Sequence, residues 1–389
     1  MKIHFISLLG RSPWGGSEIL WSKVAEQLQS RGAHVTASVK WWPKKSKSIH
    51  IANLEKRNIA LEYWGKPMPS SRHLMYFIKK AISAFKGETV VYQHGWKIPQ
   101  KTDLVVINSP GNKFLPDLIF YCRKHRLPYV LICQAVNESN WISDNDFDAC
   151  RAAYMNAEAV YFVSQANLDS TASQLAYKGN NFRVISNPYN VDRAQFFKPA
   201  QNNELHCMAF VGRLEPEHKG LDLLFRALSR PAWRERKYHL NLYGTGMSEN
   251  QVKEMAKFLG IADHLSFHGH VDCIEKIWED NALLVLPSRH EGLPLAVIEA
   301  MMCGRPCLVT DVSGNPEHID DGKTGFIAAG ATVNAVAAAL ERAWAQRDHW
   351  EVMGLAAYEA IRKAVPLNPV DVFTTEIERL ASIQISAKL

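Results

Sequence analysis

Along the chain, short apolar and β-branched runs alternate with longer stretches in which apolar residues recur at helical spacing. Ile3–Ser7, Val35–Val39, Val90–Tyr92, Leu104–Ile107, Tyr129–Cys133, Ala159–Val163 and Arg183–Ser186 predict strands in the first half. Cys207–Val211, His239–Tyr243, Leu265–His268, Leu283–Leu286 and Cys307–Thr310 do so in the second. Most are apolar at successive positions, as expected of parallel strands covered by helices on both faces. Ser17–Ser30, Lys219–Leu228, Ser248–Leu259 and Leu295–Met302 read as helices between them. Repeated strand–helix units imply doubly wound sheets. The pattern restarts after Gln195–Leu205, whose Pro, Asn and charged residues suit a linker. Two α/β domains in tandem are expected, residues 1–200 and residues 201–366, followed by a helical tail.

Length agrees with that division, because 389 residues exceed the roughly 250–300 at which one core stops growing. A composition 47% hydrophobic and 22% charged excludes a largely disordered or fibrous chain. Apolar runs such as Tyr129–Cys133 and Leu283–Leu286 fall far short of the roughly 18–20 residues that span a bilayer. Met1–Leu9 reads as a buried strand rather than a signal peptide. Seven scattered Cys without a CxxC pair argue for reduced thiols, so a soluble cytoplasmic protein is expected.

Charge adds an asymmetry. Residues 1–200 carry 26 basic and 14 acidic residues, whereas residues 201–389 carry 19 and 25. Residues 40–86 alone hold 11 basic residues against Glu55 and Glu62. Lys40–Ser48 mixes two Trp with four Lys, and Ser71–Lys86 places Leu74, Phe77, Ile78, Ile82 and Phe85 near one helical face. This composition suits peripheral contact with an anionic membrane, or equally an ordinary core helix and a solvated loop. No nucleic-acid recognition fold accompanies it.

Candidate chemistry lies beyond the C-terminal ends of the strands, where open α/β sheets bind ligands. Gly10–Glu18 (GRSPWGGSE) opens the first helix; Gly15 and Gly16 allow close backbone approach, or form a simple turn. The spacing is not GxGxxG, so no nicotinamide cofactor is indicated. Phe210–Leu221 (FVGRLEPEHKGL) puts Gly212 and Arg213 at a strand end and Lys219 just before a helix. A planar guanidinium and a point charge suit a diphosphate. In Pro287–Ala300 (PSRHEGLPLAVIEA), Glu291 follows a strand, Gly292 permits close approach and Pro294 suits a first helical turn. Glu299 lies in an otherwise apolar helix, which calls for a polar partner such as vicinal hydroxyls. Asp144, Asp146 and Asp148 imitate a metal-binding DxD but read as a capping loop before an Ala149–Ala157 helix. His268 and His270 lack a third ligand nearby and read as loop residues.

Together, GGSE, NPYNVDR, VGRLEPEHKG, the E-x7-E element Glu291–Glu299, SGNPEHI and GKTGFI make the chain resemble a family 4 glycosyltransferase of GT-B fold over nearly its whole length. The resemblance implies two Rossmann-like domains facing a central cleft, the first binding the acceptor and completed by a C-terminal helix at about residues 367–389. It implies retaining transfer of a sugar from a nucleotide diphosphate sugar, UDP above other bases, to a glycan, lipid-linked or small-molecule acceptor. Front-face attack is expected, with no cofactor and no metal. Arg213 and Lys219 would hold the diphosphate, Glu291 the sugar hydroxyls and Glu299 the ribose. Backbone amides of Gly292, Leu293 and Leu295 would cradle phosphate, Gly16 would approach from the other domain, and His270-Val271 would line the base. Where the family often has His, Leu127–Asn137 (LPYVLICQAVN) has Gln134, which can hydrogen-bond a sugar but cannot titrate. His94 (YQHGW) and Asn137 are candidates for the acceptor cleft. A sugar-nucleotide epimerase or a catalytically silent sugar-binding protein would share the fold.

Overall fold

In a computed structural model of the protein, the residues described are 1–10, 12–43, 48–65, 98–99, 101–114, 116–136, 141–191 and 205–386. The expected strand Val90–Tyr92, the expected helix Ser71–Lys86, most of the Gln195–Leu205 linker, His94 and Asn137 lie outside them.

The first sheet holds β1 (Lys2–Ser7), β2 (His34–Lys40), β3 (Ala60–Trp64), β4 (Leu104–Ser109), β5 (Tyr129–Cys133), β6 (Ala159–Phe162) and β7 (Phe182–Val184). Its strands are ordered β3-β2-β1-β4-β5-β6-β7. The second holds β8 (His206–Val211), β9 (Tyr238–Tyr243), β10 (Leu265–Gly269), β11 (Leu283–Leu286), β12 (Cys307–Thr310) and β13 (Gly325–Ala328), ordered β10-β9-β8-β11-β12-β13. Every strand pairing within the two sheets is parallel. Strand order reverses between β1 and β4 and again between β8 and β11. At such a reversal the helices leave to opposite faces, and a crevice opens beyond the strand ends.

Burial explains which strands were legible. β4, β5 and β6 are buried at every position; β5 and β6 are apolar throughout, and β4 is apolar as far as Ile107 before ending in the buried Asn108 and Ser109. The edge strand β3 is mostly half-exposed, so its sequence ALEYW carries no such run, and β13 is a four-residue GFIA. Two expected helices are corrected. The stretch from Lys219 breaks into Pro216–Lys219 and Leu221–Leu228, so Lys219 ends a short helix rather than preceding one. Gly220 between them has φ 67°, and a Cβ there would lie 2.0 Å from the Pro287 carbonyl oxygen. The helix Asp144–Met155 begins five residues early, so the three aspartates sit in its first turns, where Ser143 bonds Asp146 at 2.7 Å.

The last helix, Pro369–Ser386, lies on the first sheet's layer. Phe373, Ile377, Leu380 and Ala381 enter one core with Trp21, Val24 and Leu28 of the helix Ile19–Ser30. Arg31 pairs with Asp371 and Glu378, and the Tyr161 hydroxyl donates to Glu376 at 2.9 Å. Among the described residues, no helix is long and apolar enough to cross a membrane.

Candidate active site

The second sheet's crevice is lined by the loops after β8 and β11. Close packing of Gly220 on Pro287 joins these loops, and Arg289 strengthens the joint with a two-pronged ion pair to Asp222 at 2.6 and 2.8 Å. Lys219 is thereby delivered to Glu291, Nζ to Oε1 2.5 Å. Ser288 donates to the same carboxylate oxygen at 2.7 Å, and Thr310 donates in turn to the Ser288 carbonyl at 2.5 Å. Glu291 Oε2 accepts nothing among the described residues, which leaves one carboxylate oxygen for a ligand. Gly212 lies beside the stem of Lys219: a Cβ there would be 3.5 Å from Lys219 Cε. Arg213 points outward, 63% exposed, and among the described residues pairs with Glu215 at 2.9 Å. His218 and His290 flank the pair with rings 5.7 Å apart; burial, then His218 and Arg289, lowers the His290 pKa.

Glu299 sits inside the helix Leu295–Met302, 4% exposed, and accepts the Asn190 backbone N–H at 3.1 Å. Burial raises its pKa and Asn190 opposes that rise. Ahead of this helix, the backbone N–H groups of Gly292, Leu293 and Leu295 find no backbone acceptor among the described residues. Leu293 is buried and Leu295 half-buried. Gly292 was expected to permit close approach, and the group that comes close to its Cα is protein backbone. A Cβ there would stand 1.9 Å from the Gln134 carbonyl oxygen of the first sheet's wall. The adjoining contact is equally close: a Cβ on Gly314 would meet the Gly292 carbonyl at 2.1 Å and Ser164 at 2.8 Å. Glu317 then receives the Gln165 N–H at 2.9 Å, at the start of the helix Gln165–Gln174.

Across the cleft, Gly15 is extended and Gly16 has nothing within 4 Å of a Cβ, so that loop faces open space. Gln134 differs from expectation. Its amide is almost wholly buried and already engaged, donating to Asn108 at 3.0 Å and accepting from Asn187 at 2.9 Å. His270 is exposed with Asp272 at 3.3 Å, while the half-buried Val271 packs on the second core. His268 bonds Asn241 at 2.8 Å and stacks on Tyr243. Among the described residues no group of three or more His, Cys, Asp or Glu is placed to hold a metal ion. Lys40 donates to the Gly10 carbonyl and lies over Trp42, so it is not a free cation.

Sequence reasoning passed over Ser288, Asn190, Glu317 and the side chains of Glu18, Asn108 and Asn187. All but Asn108 lay inside motifs quoted above, Ser288 in PSRHEGLPLAVIEA, Asn187 and Asn190 in NPYNVDR, Glu317 in SGNPEHI and Glu18 in GGSE, but none was singled out there.

Residues 206–346 match the family described as Glycosyl transferases group 1. An uncharacterized glycosyltransferase of Haemophilus influenzae is 30% identical over 166 residues, 42% of this chain and 46% of that protein. A GDP-mannose-dependent alpha-(1-6)-phosphatidylinositol monomannoside mannosyltransferase of Mycobacterium tuberculosis is 30% identical over 177 residues, 43% of this chain and 46% of that protein. The chain thus spans about half the length of these curated relatives. The crystal structure of Anabaena HepE in complex with UDP superposes with TM-score 0.73 at 18% identity, covering 98% of this chain and all of that one. The fold is GT-B: two parallel α/β sheets with a cleft between their loops.

Proposed function

We propose that the protein is a retaining glycosyltransferase that moves a sugar from a nucleotide diphosphate sugar, a UDP-sugar first among them, to a glycan, lipid-linked or small-molecule acceptor. The observation that carries this reading is the Lys219–Glu291–Ser288 cluster at the strand-order reversal of a domain matching glycosyl transferases group 1. Two neighbours named above use different nucleotides, UDP and GDP-mannose, so the base is part of the test.

Division of labour follows from the chemistry of each group. Lys219 and the outward Arg213 neutralise the diphosphate, and the free amides before Leu295 receive its oxygens. Glu291 keeps Lys219 and Ser288 on Oε1 and turns Oε2 to the sugar hydroxyls. Glu299 gives up one lone pair to Asn190 and offers the rest to the ribose. The base lies along His270-Val271, and Gly16 leaves room for the phosphates on the opposite wall.

In front-face attack the acceptor hydroxyl approaches on the side the leaving phosphate departs from, and a phosphate oxygen takes its proton. The protein then supplies positioning and charge, and no side chain forms a bond to the sugar. The acceptor binds the first domain, whose residues 1–200 are net basic. A lipid-linked acceptor would bring residues 40–86 to an anionic surface, which sedimentation with anionic liposomes at low salt reads directly.

A thermal-shift panel of UDP, GDP and their sugars is expected to show stabilisation by one base family. No shift with any of them would favour a catalytically silent protein. Glu291→Ala is expected to abolish transfer while the far-ultraviolet circular dichroism stays native; full activity in that variant would remove Glu291 from the site.

A further inference from the structure

The first sheet has its own strand-order reversal, between β1 and β4, and there the side chains form a continuous buried ladder. Glu18, 2% exposed, follows the Gly15-Gly16 turn. It accepts from Trp21 Nε1 on Oε2 at 2.8 Å and from Asn108 Nδ2 on Oε1 at 3.0 Å, with Ser17 Oγ at 3.3 Å. Asn108 Oδ1 accepts from Gln134 Nε2, and Gln134 Oε1 accepts from Asn187 Nδ2. Asn187 Oδ1 ends the row, buried and without a partner among the described residues. Three residues later Asn190 reaches Glu299 in the other wall.

Amide ladders have a direction, and an Asn or Gln could run either way. This one cannot. Every side chain around Glu18 is a donor, and Trp21 can do nothing else, so Glu18 stands as an acceptor-only carboxylate. Together with the Ser17 carbonyl, which also accepts from Asn108 Nδ2 at 3.2 Å, it turns the Asn108 NH2 toward itself and the Asn108 oxygen toward Gln134. That in turn points the Gln134 NH2 at Asn108 and leaves one Nε2 hydrogen as its uncommitted donor. Burial raises the Glu18 pKa, and the hydrogen bonds from Ser7, Trp21, Ser17 and Asn108 oppose the rise. A carboxylate buried this deeply with no cationic partner among the described residues has a reason beyond packing.

We infer that Glu18 is a positioning residue for the transfer proposed above, on which this inference rests: its carboxylate, acting through Asn108, fixes which way round the Gln134 amide stands at the contact where Gln134's own carbonyl meets Gly292. The oriented NH2 is presented to the donor sugar. Replacing Glu18 by Gln puts an NH2 opposite either Trp21 or Asn108, both donors, and the ladder must invert or break.

The test uses the full-length chain with UDP-glucose and GDP-mannose as donor probes, and follows nucleotide release with and without acceptor. Glu18→Gln is expected to lose tenfold or more in kcat while donor KM stays within twofold and the thermal midpoint within a few degrees. The double variant Glu18→Gln/Asn108→Asp returns an acceptor-only group beside Gln134. It should recover at least threefold over the single variant. Recovery should stop short of wild type, because the new carboxylate faces the Ser17 carbonyl that Asn108 Nδ2 now approaches at 3.2 Å. Wild-type kcat in Glu18→Gln would overturn the inference, as would a loss that the double variant fails to relieve. If the wild type turns over neither probe, the transfer reading is what fails. The ladder is then read from neutron crystal structures of wild type and Glu18→Gln, in which the amide deuterium positions distinguish nitrogen from oxygen. Inverted Asn108 and Gln134 amides in the variant support the inference, and an unchanged ladder overturns it.

Discussion

The two crevices of this molecule have the same topology and opposite chemistry. Beyond β1 and β4 a single carboxylate, Glu18, is surrounded by neutral donors and buried. Beyond β8 and β11 a carboxylate is held by a lysine, with an exposed arginine and two histidines nearby. The ladder of the first wall pairs its groups with one another, apart from Asn187 Oδ1. The second leaves a carboxylate oxygen, an outward guanidinium and a row of backbone amides open to a ligand. A strand-order reversal thus guarantees a crevice but not what the crevice offers. That depends on whether the side chains there satisfy one another. The walls meet where both are least tolerant: Gly292 against Gln134 and Gly314 against Ser164.

The comparison breaks most visibly if the charged wall is not the reacting one. Lys219→Ala removes the cation paired with Glu291, which the proposed reaction assigns to the leaving phosphate, and should lower kcat by about 10²–10³-fold. Steady-state rates with the donor identified by thermal shift would check this, and a change under threefold would move the reacting centre elsewhere. Next in size is the junction. Gly292→Ala places a methyl within 1.9 Å of a carbonyl oxygen, so the two walls must separate. The expected cost is about 1–3 kcal/mol by urea denaturation, with a larger radius of gyration in X-ray scattering.

Smaller effects sharpen the contrast between buried and exposed groups. Burial lifts the Glu299 pKa from its ordinary 4.5, so the folded protein binds this proton more tightly than the unfolded chain does. With a raised carboxylate pKa, Glu299 favours folding on the acid side and loses that contribution as pH rises through its folded value. Wild type should therefore gain stability relative to Glu299→Gln as pH falls from neutral toward 4.5, while its affinity for nucleotide falls because a neutral Glu299 accepts ribose hydroxyls poorly. Thermal midpoints and titration calorimetry at pH 7 and pH 5 measure both. Arg213→Ala should change stability least, by about 0–1 kcal/mol, because its pair with Glu215 is a surface one. Its effect belongs in donor KM.

Much of the second wall was legible because its signals are local. Glu291, Gly292 and Glu299 fall within nine residues of one chain segment, and a glutamate in the apolar helix Leu295–Met302 stands out without any structure. The first wall was nearly silent for the opposite reason. Asn108 bonds Glu18 across 90 residues and Asn187 bonds Gln134 across 53, and a lone Asn or Gln at a strand end carries no pattern of its own. Gln134 was found by its place in a motif, but its partners Asn108 and Asn187 were not. Gly292 was recognised as a position needing close approach, yet the approaching group is a backbone carbonyl of the same protein.

By itself, the sequence determined the parallel α/β architecture, since buried parallel strands must be apolar at successive positions, and the order of its motifs. It determined equally that Lys219 and Glu291 bear opposite charges beside flexible glycines. Which strands became neighbours was decided only in three dimensions. Strand order joined Glu18 to Asn108 and Gly220 to Pro287, because packing of whole layers, not local propensity, selects the partner of a buried polar group.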